Sequence, residues 1–334
     1  MKAANSILAD LKKGIVKPIY FLYGEEPYYI DKISDYIEDH LLDEAEKGFN
    51  QVVLYGRDVS IDDIVSNAKR YPMMAERQVV IVKEAQDLSR TIEQLAPYAE
   101  NPQPTTVLVL CFKYKKLDGR KALGKAIKKG GVLFESKKLY ENQVGPWIST
   151  VLQEAGYTAS YKAIQMLEDF LGVDLGKISN ELNKLMLVIP KEQEITPELV
   201  EENIGISKDF NNFELAKAIG YKDVVKAQRI VQYFIQNPKA NPMVLTISSL
   251  HGYFVKLLRY HGLPQKDKAT VAKTLGVHPF FVDEYVVAAR NYPMKRVSAA
   301  IASLREVDVK SKGVGASSLA SKDLLKEALV QIMN

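Results

Sequence analysis

Pro18-Ile19-Tyr20-Phe21-Leu22-Tyr23-Gly24-Glu25-Glu26-Pro27-Tyr28-Tyr29-Ile30-Asp31 decides how this chain is read. The apolar run Pro18 to Tyr23 has the composition of a buried strand, and it stops at Gly24. An amphipathic helix follows, with apolar residues at Ile30, Ile33, Ile37 and Leu41. Strand, glycine turn and helix is the setting of the phosphate loop G-x-x-x-x-G-K-[ST]. Counted from Gly24, Tyr29 stands for the second glycine, Ile30 for the lysine and Asp31 for the hydroxyl residue. The scaffold is present and the phosphate chemistry is absent, which points away from an ATPase.

A helix N-terminus attracts anions through its unpaired N–H groups and positive dipole end. Here the chain supplies its own anions, Glu25 and Glu26, and Pro27 suits the first helical turn. Taken alone, the segment also reads as a capped helix after a strand. A second nucleotide-site element is a strand ending in an acidic pair, one carboxylate being a magnesium ligand. Val79-Val80-Ile81-Val82-Lys83-Glu84 is the candidate, and Lys83 occupies the metal position, where its charge would repel the ion.

Working outward, short apolar strands are expected at 18–23, 51–55, 79–83, 106–112 and 131–135. Helical patterns near 27–42, 60–70, 88–99 and 117–129 separate them. That alternation predicts an α/β domain with a parallel sheet. Beyond about residue 140 the strand signals stop. Helices are expected over 142–154, 160–171, 174–189 and from Thr196 onward. After Gly205-Ile206-Ser207 come helices over 213–220, 223–236, 242–260 and three later stretches. The expected domains are 1–140, 141–208 and 209–334.

The chain has 334 residues, 47% hydrophobic and 26% charged, with a net charge of +4. This is ordinary for a globular protein of two or three domains. The weakly basic balance permits acidic partners without requiring them. The single Cys111, inside an apolar strand, excludes a disulfide framework and is expected to be buried. No apolar run approaches the ~20 residues of a membrane span. No signal peptide is apparent, and a cytoplasmic location is expected. His40, His251, His261 and His278 are scattered, so no metal is expected. No nucleophile pattern is present, and no catalytic residue or cofactor is expected.

Two surface features remain. Lys113, Lys115, Lys116, Arg120, Lys121, Lys125, Lys128 and Lys129 face only Asp118 within their segment. That cluster is either a phosphate-neutralising patch for DNA or a solvated helix face. Tyr71-Pro72-Met73-Met74-Ala75 places adjacent methionines in a connection, where they either tuck under the sheet or mark a partner surface.

Five blocks in order resemble one family. They are Tyr20 to Pro27, Met73 to Val82, Lys115 to Lys121, Asp174 to Leu185 and Phe213 to Ile219. The family is the delta subunit of the bacterial DNA polymerase III clamp loader. The resemblance implies an AAA+-like α/β domain, a small helical lid and an all-α collar. It also implies no ATP binding by this subunit, within a larger polymerase holoenzyme. The implied partners are the sliding clamp (the beta subunit), the gamma/tau and delta prime subunits through 209–334, and primed DNA. Clamp contact would fall to an exposed apolar pair, by position Met73 and Met74, with Tyr71 and Pro72 as flanks. A leucine–phenylalanine pair is a familiar version, so the methionines keep the apolar character and lose the ring. The competing readings are an active AAA+ ATPase, a DNA-binding module built on 113–129, and a structural scaffold.

Overall fold

Five apolar runs become five strands because each is long enough to cross a sheet and too short for a buried helix. In the computed structural model, which describes residues 2–314 and 321–334, they are β1 (Ile19–Gly24), β2 (Gln51–Tyr55), β3 (Gln78–Lys83), β4 (Thr106–Lys113) and β5 (Val132–Ser136). All pair in parallel, in the order β2-β3-β4-β1-β5. Val79 to Val82 and Val107 to Phe112 are buried throughout, because helices cover both faces of the sheet. The sheet is the expected parallel α/β core. Its order places β1 between β4 and β5, with Gly24 in register with both Lys113 and Ser136. The carboxyl edge of β1 and β4 is where parallel sheets hold ligands.

The chain divides into two compact units, Met1–Leu139 and Tyr140–Asn334. The first holds α1 (Lys2–Lys12), α2 (Pro27–His40), α3 (Glu44–Asn50), α4 (Ile61–Ala68), α5 (Ala96–Glu100) and α6 (Ala122–Gly130). Neither α1 nor α3 was expected. Ala4, Leu8 and Leu11 lie on one buried face of α1. At the start of α3 the Asp43 N–H donates to Glu46 Oε2 at 3.1 Å.

Two expected helices need correction. The segment 88–99 is two 3-10 turns, Ala85–Leu88 and Ile92–Leu95, followed by α5. Pro97 has no N–H to donate and crowds the preceding turn, so the helix starts afresh around it. The segment 117–129 becomes helical only at Ala122. Arg120 N–H donates to Asp118 Oδ1 at 3.1 Å, a side-chain turn that competes with helix.

The second unit is helical: α7 (Glu141–Glu154), α8 (Tyr161–Leu171), α9 (Leu175–Val188), α10 (Pro197–Ile204), α11 (Asn212–Gly220), α12 (Val224–Gln236), α13 (Met243–His261), α14 (Lys268–Leu275), α15 (Val282–Asn291), α16 (Met294–Ser311) and α17 (Ser321–Met333). An isolated parallel bridge joins Ala159 to Ile195. Four α-helices follow α13 among the described residues, one more than expected. The shortest, α14, is bounded by Asp267, which accepts from Thr270 N–H, and by left-handed Gly276. A continuous core runs from Leu215 to Ile332 and includes Phe234, Phe254 and Tyr292.

Candidate functional site

The carboxyl edge of the sheet is built from β1, β3, β4 and the start of α2. Gly24 ends β1 at φ +132°, a conformation side chains rarely adopt. A Cβ there would come within 2.1 Å of Ser136 O. The glycine therefore serves close strand packing, whatever its likeness to a phosphate loop. Glu26 caps α2: its Oε1 accepts from Tyr28 N–H at 3.0 Å, and the residue is buried. Tyr29 and Ile30, at the second-glycine and lysine positions, are core residues, with Ile30 fully buried.

Asp31, Asp35 and Glu38 recur along α2 at helical spacing, so they share a face. Two strand-end lysines meet that face. Lys113 Nζ lies 2.8 Å from Asp31 Oδ1 and 3.0 Å from Glu84 Oε1. Lys83 Nζ lies 2.7 Å from Glu38 Oε2 and 3.7 Å from Asp35 Oδ1. Burial works against the charge of Lys113. Its bonds to Asp31 and Glu84 outweigh that and raise its pKa above the ordinary lysine value. Lys83 is raised likewise, with Glu38 and Asp35 overcoming burial. Hydrogen bonding from Gln86, and then from Lys113, lowers Glu84. Both lysines are committed to carboxylates, and an incoming phosphate would meet Asp31, Glu38 and Glu84. Among the described residues no cluster of three or more His, Cys, Asp or Glu is placed to hold a metal. Cys111 is buried in β4, and burial pushes its thiol up to about 12.

At the opposite edge of the sheet, α4 ends at Ala68 and the chain turns through 69–77 into β3. Its closing carbonyls are taken by buried side chains. Thr106 Oγ1 donates to Ala68 O at 2.8 Å and Tyr98 Oη to the same oxygen at 3.2 Å. Gln78 Nε2 donates to Arg70 O at 2.6 Å. Farther along, Met73 N–H donates to Asn50 Oδ1 at 2.6 Å, and Asn50 Nδ2 donates to Met73 O at 2.9 Å. Met74 follows in the left-handed region at φ 54°. On this fixed turn Tyr71, Met73 and Met74 are exposed at 77%, 62% and 103%, and Pro72 is half-buried. The methionines do not tuck under the sheet.

The basic segment is partly spent internally. Besides Lys113, Lys115 Nζ donates to Ser89 Oγ at 2.7 Å, and Lys116 lies 3.4 Å from Glu25. Arg120 pairs with Asp118 at 2.9 Å. Lys121 stands extended just before α6, Lys125 and Lys128 lie on the exposed side of that helix, and Lys128 Nζ donates to Gly119 O at 3.2 Å.

The family model described as DNA polymerase III, delta subunit, matches residues 20–137. A second model, for the C-terminal domain of the same family, matches residues 209–330. The chain belongs to the DNA polymerase III delta-subunit family. It is 29% identical over 315 residues to the DNA polymerase III subunit delta of Bacillus subtilis, covering 91% of this chain and 90% of that one. Among solved structures it matches the Bacillus subtilis DNA clamp loader delta protein at 26% identity and TM-score 0.58, over 99% of both chains.

For a delta-family chain, the residues that sequence reasoning missed are Asn50, Gln78 and Phe49. The last is exposed at 73% beside Asn50. A signal for α3 existed in Asp43-x-x-Glu46, a capping pattern. No comparable signal joined Asn50 to Met73, which lie 23 residues apart. Among the described residues no helix is long and apolar enough to cross a membrane.

Proposed function

We propose that this delta-family protein binds the sliding clamp through Tyr71, Pro72, Met73 and Met74 and helps open the ring, without hydrolysing ATP itself. The observation that carries the reading is the turn at 71–74. Two methionines stand exposed on a loop tied down by Asn50 and Gln78. Apolar side chains entering a pocket on a partner act as hot spots. A surface that binds the open ring more tightly than the closed one shifts the ring toward opening.

Support for a nucleotide-free role comes from the ion pairs of Lys113 and Lys83 and from buried Ile30 at the lysine position. Degenerate Gly24, Glu25 and Glu26 then serve sheet packing and helix capping. In this reading residues 141–208 form the lid, and 209–334 the collar that joins the gamma/tau and delta prime subunits in the cytoplasm. Primed DNA would approach the loader, and exposed Lys121 and Lys125 offer it cations.

The test is a pull-down with the beta sliding clamp, with and without ATP, using the parent chain and Met73→Asp and Met74→Asp variants. Loss of clamp capture by folded variants supports the assignment; unchanged affinity sinks it. A thermal shift produced by ATP with this chain alone would favour an active nucleotide site.

A further inference from the structure

The pairing of Asn50 with Met73 joins two segments that no sequence pattern connects. Asn50 is 2% exposed, and both ends of its side-chain amide are hydrogen-bonded. Its Oδ1 accepts from Met73 N–H, and its Nδ2 donates to Met73 O and, at 3.2 Å, to Glu46 O. A side-chain amide that reads both backbone groups of one residue fixes that residue's position as a strand partner would. The next residue, Met74, is left-handed without being glycine, a conformation that costs ~1–2 kcal/mol. Such strain persists only where surrounding contacts over-determine it, and here it turns a fully exposed methionine outward.

The lock also fixes what stands beside it. Phe49 precedes Asn50 by one residue, about 3.8 Å along the chain, and is 73% exposed. A lone exposed phenylalanine needs no explanation; this one adjoins in sequence the residue that clasps Met73, so the same partner has a second apolar group within reach of the chain there.

We infer that the clamp-binding surface is made of two segments, with Phe49 as a third apolar anchor and Asn50 as the residue that positions Met73 and Met74. This rests on the clamp-binding reading of 71–74. Holding the methionines ready in the free protein removes an ordering cost from association.

The test measures affinity of the full chain for the beta sliding clamp. Phe49→Ala should weaken binding about fivefold with the melting curve unchanged, since the ring is exposed. Asn50→Ala should weaken it about tenfold in the parent. In a Met73→Ser/Met74→Ser background the same change should cost nothing further, because Asn50 acts only through those side chains. Hydrogen exchange should show the Met73 amide opening in Asn50→Ala while core strand amides stay protected. If Met73→Ser/Met74→Ser weakens binding while Phe49→Ala and Asn50→Ala bind as the parent does, this inference fails and the clamp-binding reading stands. Equal losses from Asn50→Ala in both backgrounds overturn the positioning role. If the methionine variant itself binds normally, the clamp-binding reading falls and this inference with it.

Discussion

Lys113 Nζ sits 2.8 Å from the Asp31 carboxylate, at the position where a phosphate loop carries its metal-binding hydroxyl. The pair closes the carboxyl edge of the sheet from inside, with Glu84 as a second acceptor at 3.0 Å. The Lys113 side chain is mostly shielded from water, so these bonds are worth more than surface ion pairs.

Lys113→Ala should therefore destabilise the first unit. Asp31 and Glu84 lose their shared cation, and the Asp31 charge is left beside Asp35 and Glu38 on α2. We expect a loss of about 1.5–3 kcal/mol, the range for hydrogen bonds to charged groups. Urea unfolding would measure it, and a midpoint equal to that of the parent would show the pair to be inert.

Gly24→Ala should be worse. The added methyl meets Ser136 O at 2.1 Å, on a backbone at φ +132°. Overpacking against immobile backbone and the disfavoured dihedral together cost roughly 3 kcal/mol. A soluble variant with an unchanged melting temperature would contradict this.

Glu214 on α11 is buried between Lys162 of α8, at 2.8 Å, and Lys226 of α12. Burial raises its pKa, and the two lysine hydrogen bonds more than reverse this, so the net shift is downward. A carboxylate with a lowered folded pKa stabilises the fold above its unfolded value, 4.5, and that contribution disappears as pH falls through the folded one. Glu214→Gln should cost about 2 kcal/mol at neutral pH and progressively less in acid. Denaturant midpoints for parent and variant should draw together as pH falls below 4.5.

Glu168 and Asp169 behave oppositely. Burial, then the Asp169 charge, raises Glu168 to about 7, with Lys256 opposing and Glu141 adding. Burial raises Asp169 to about 6 against Lys256 and the Gln165 hydrogen bond. Here the folded chain binds protons more tightly than the unfolded one. The stabilising contribution is complete at low pH and is lost as pH climbs from the ordinary glutamate value, 4.5, to about 7. Glu168→Gln should raise the melting temperature at about pH 8 and flatten its slope across that window. Scanning calorimetry across the window would detect either change.

The central strands β1, β3 and β4 were legible because burial on both faces writes a continuous apolar run. β2 spans Gln51–Tyr55, the expected bounds. The break at 88–99 was not, since Pro97 had to be weighed against an otherwise helical stretch. Met73 and Met74 could be singled out as apolar residues in a connection. Their anchor Asn50 could not, because it sits on the unexpected α3 and only the fold brings it near. Lys113 read as one cation of a basic cluster, since its partners Asp31 and Glu84 come from other segments.

Ile30 has a consequence for how such a chain can change. The position that would carry a phosphate-binding lysine is fully buried on the inner face of α2. A lysine introduced there would have to leave its charge unsolvated or tear the helix from the sheet. Tyr29 beside it is buried as well, and the nearby cations already have carboxylate partners. Installing nucleotide chemistry here would take several simultaneous substitutions. The architecture sets a threshold against piecemeal change: a position that is already core admits a charge only after its neighbours have changed too.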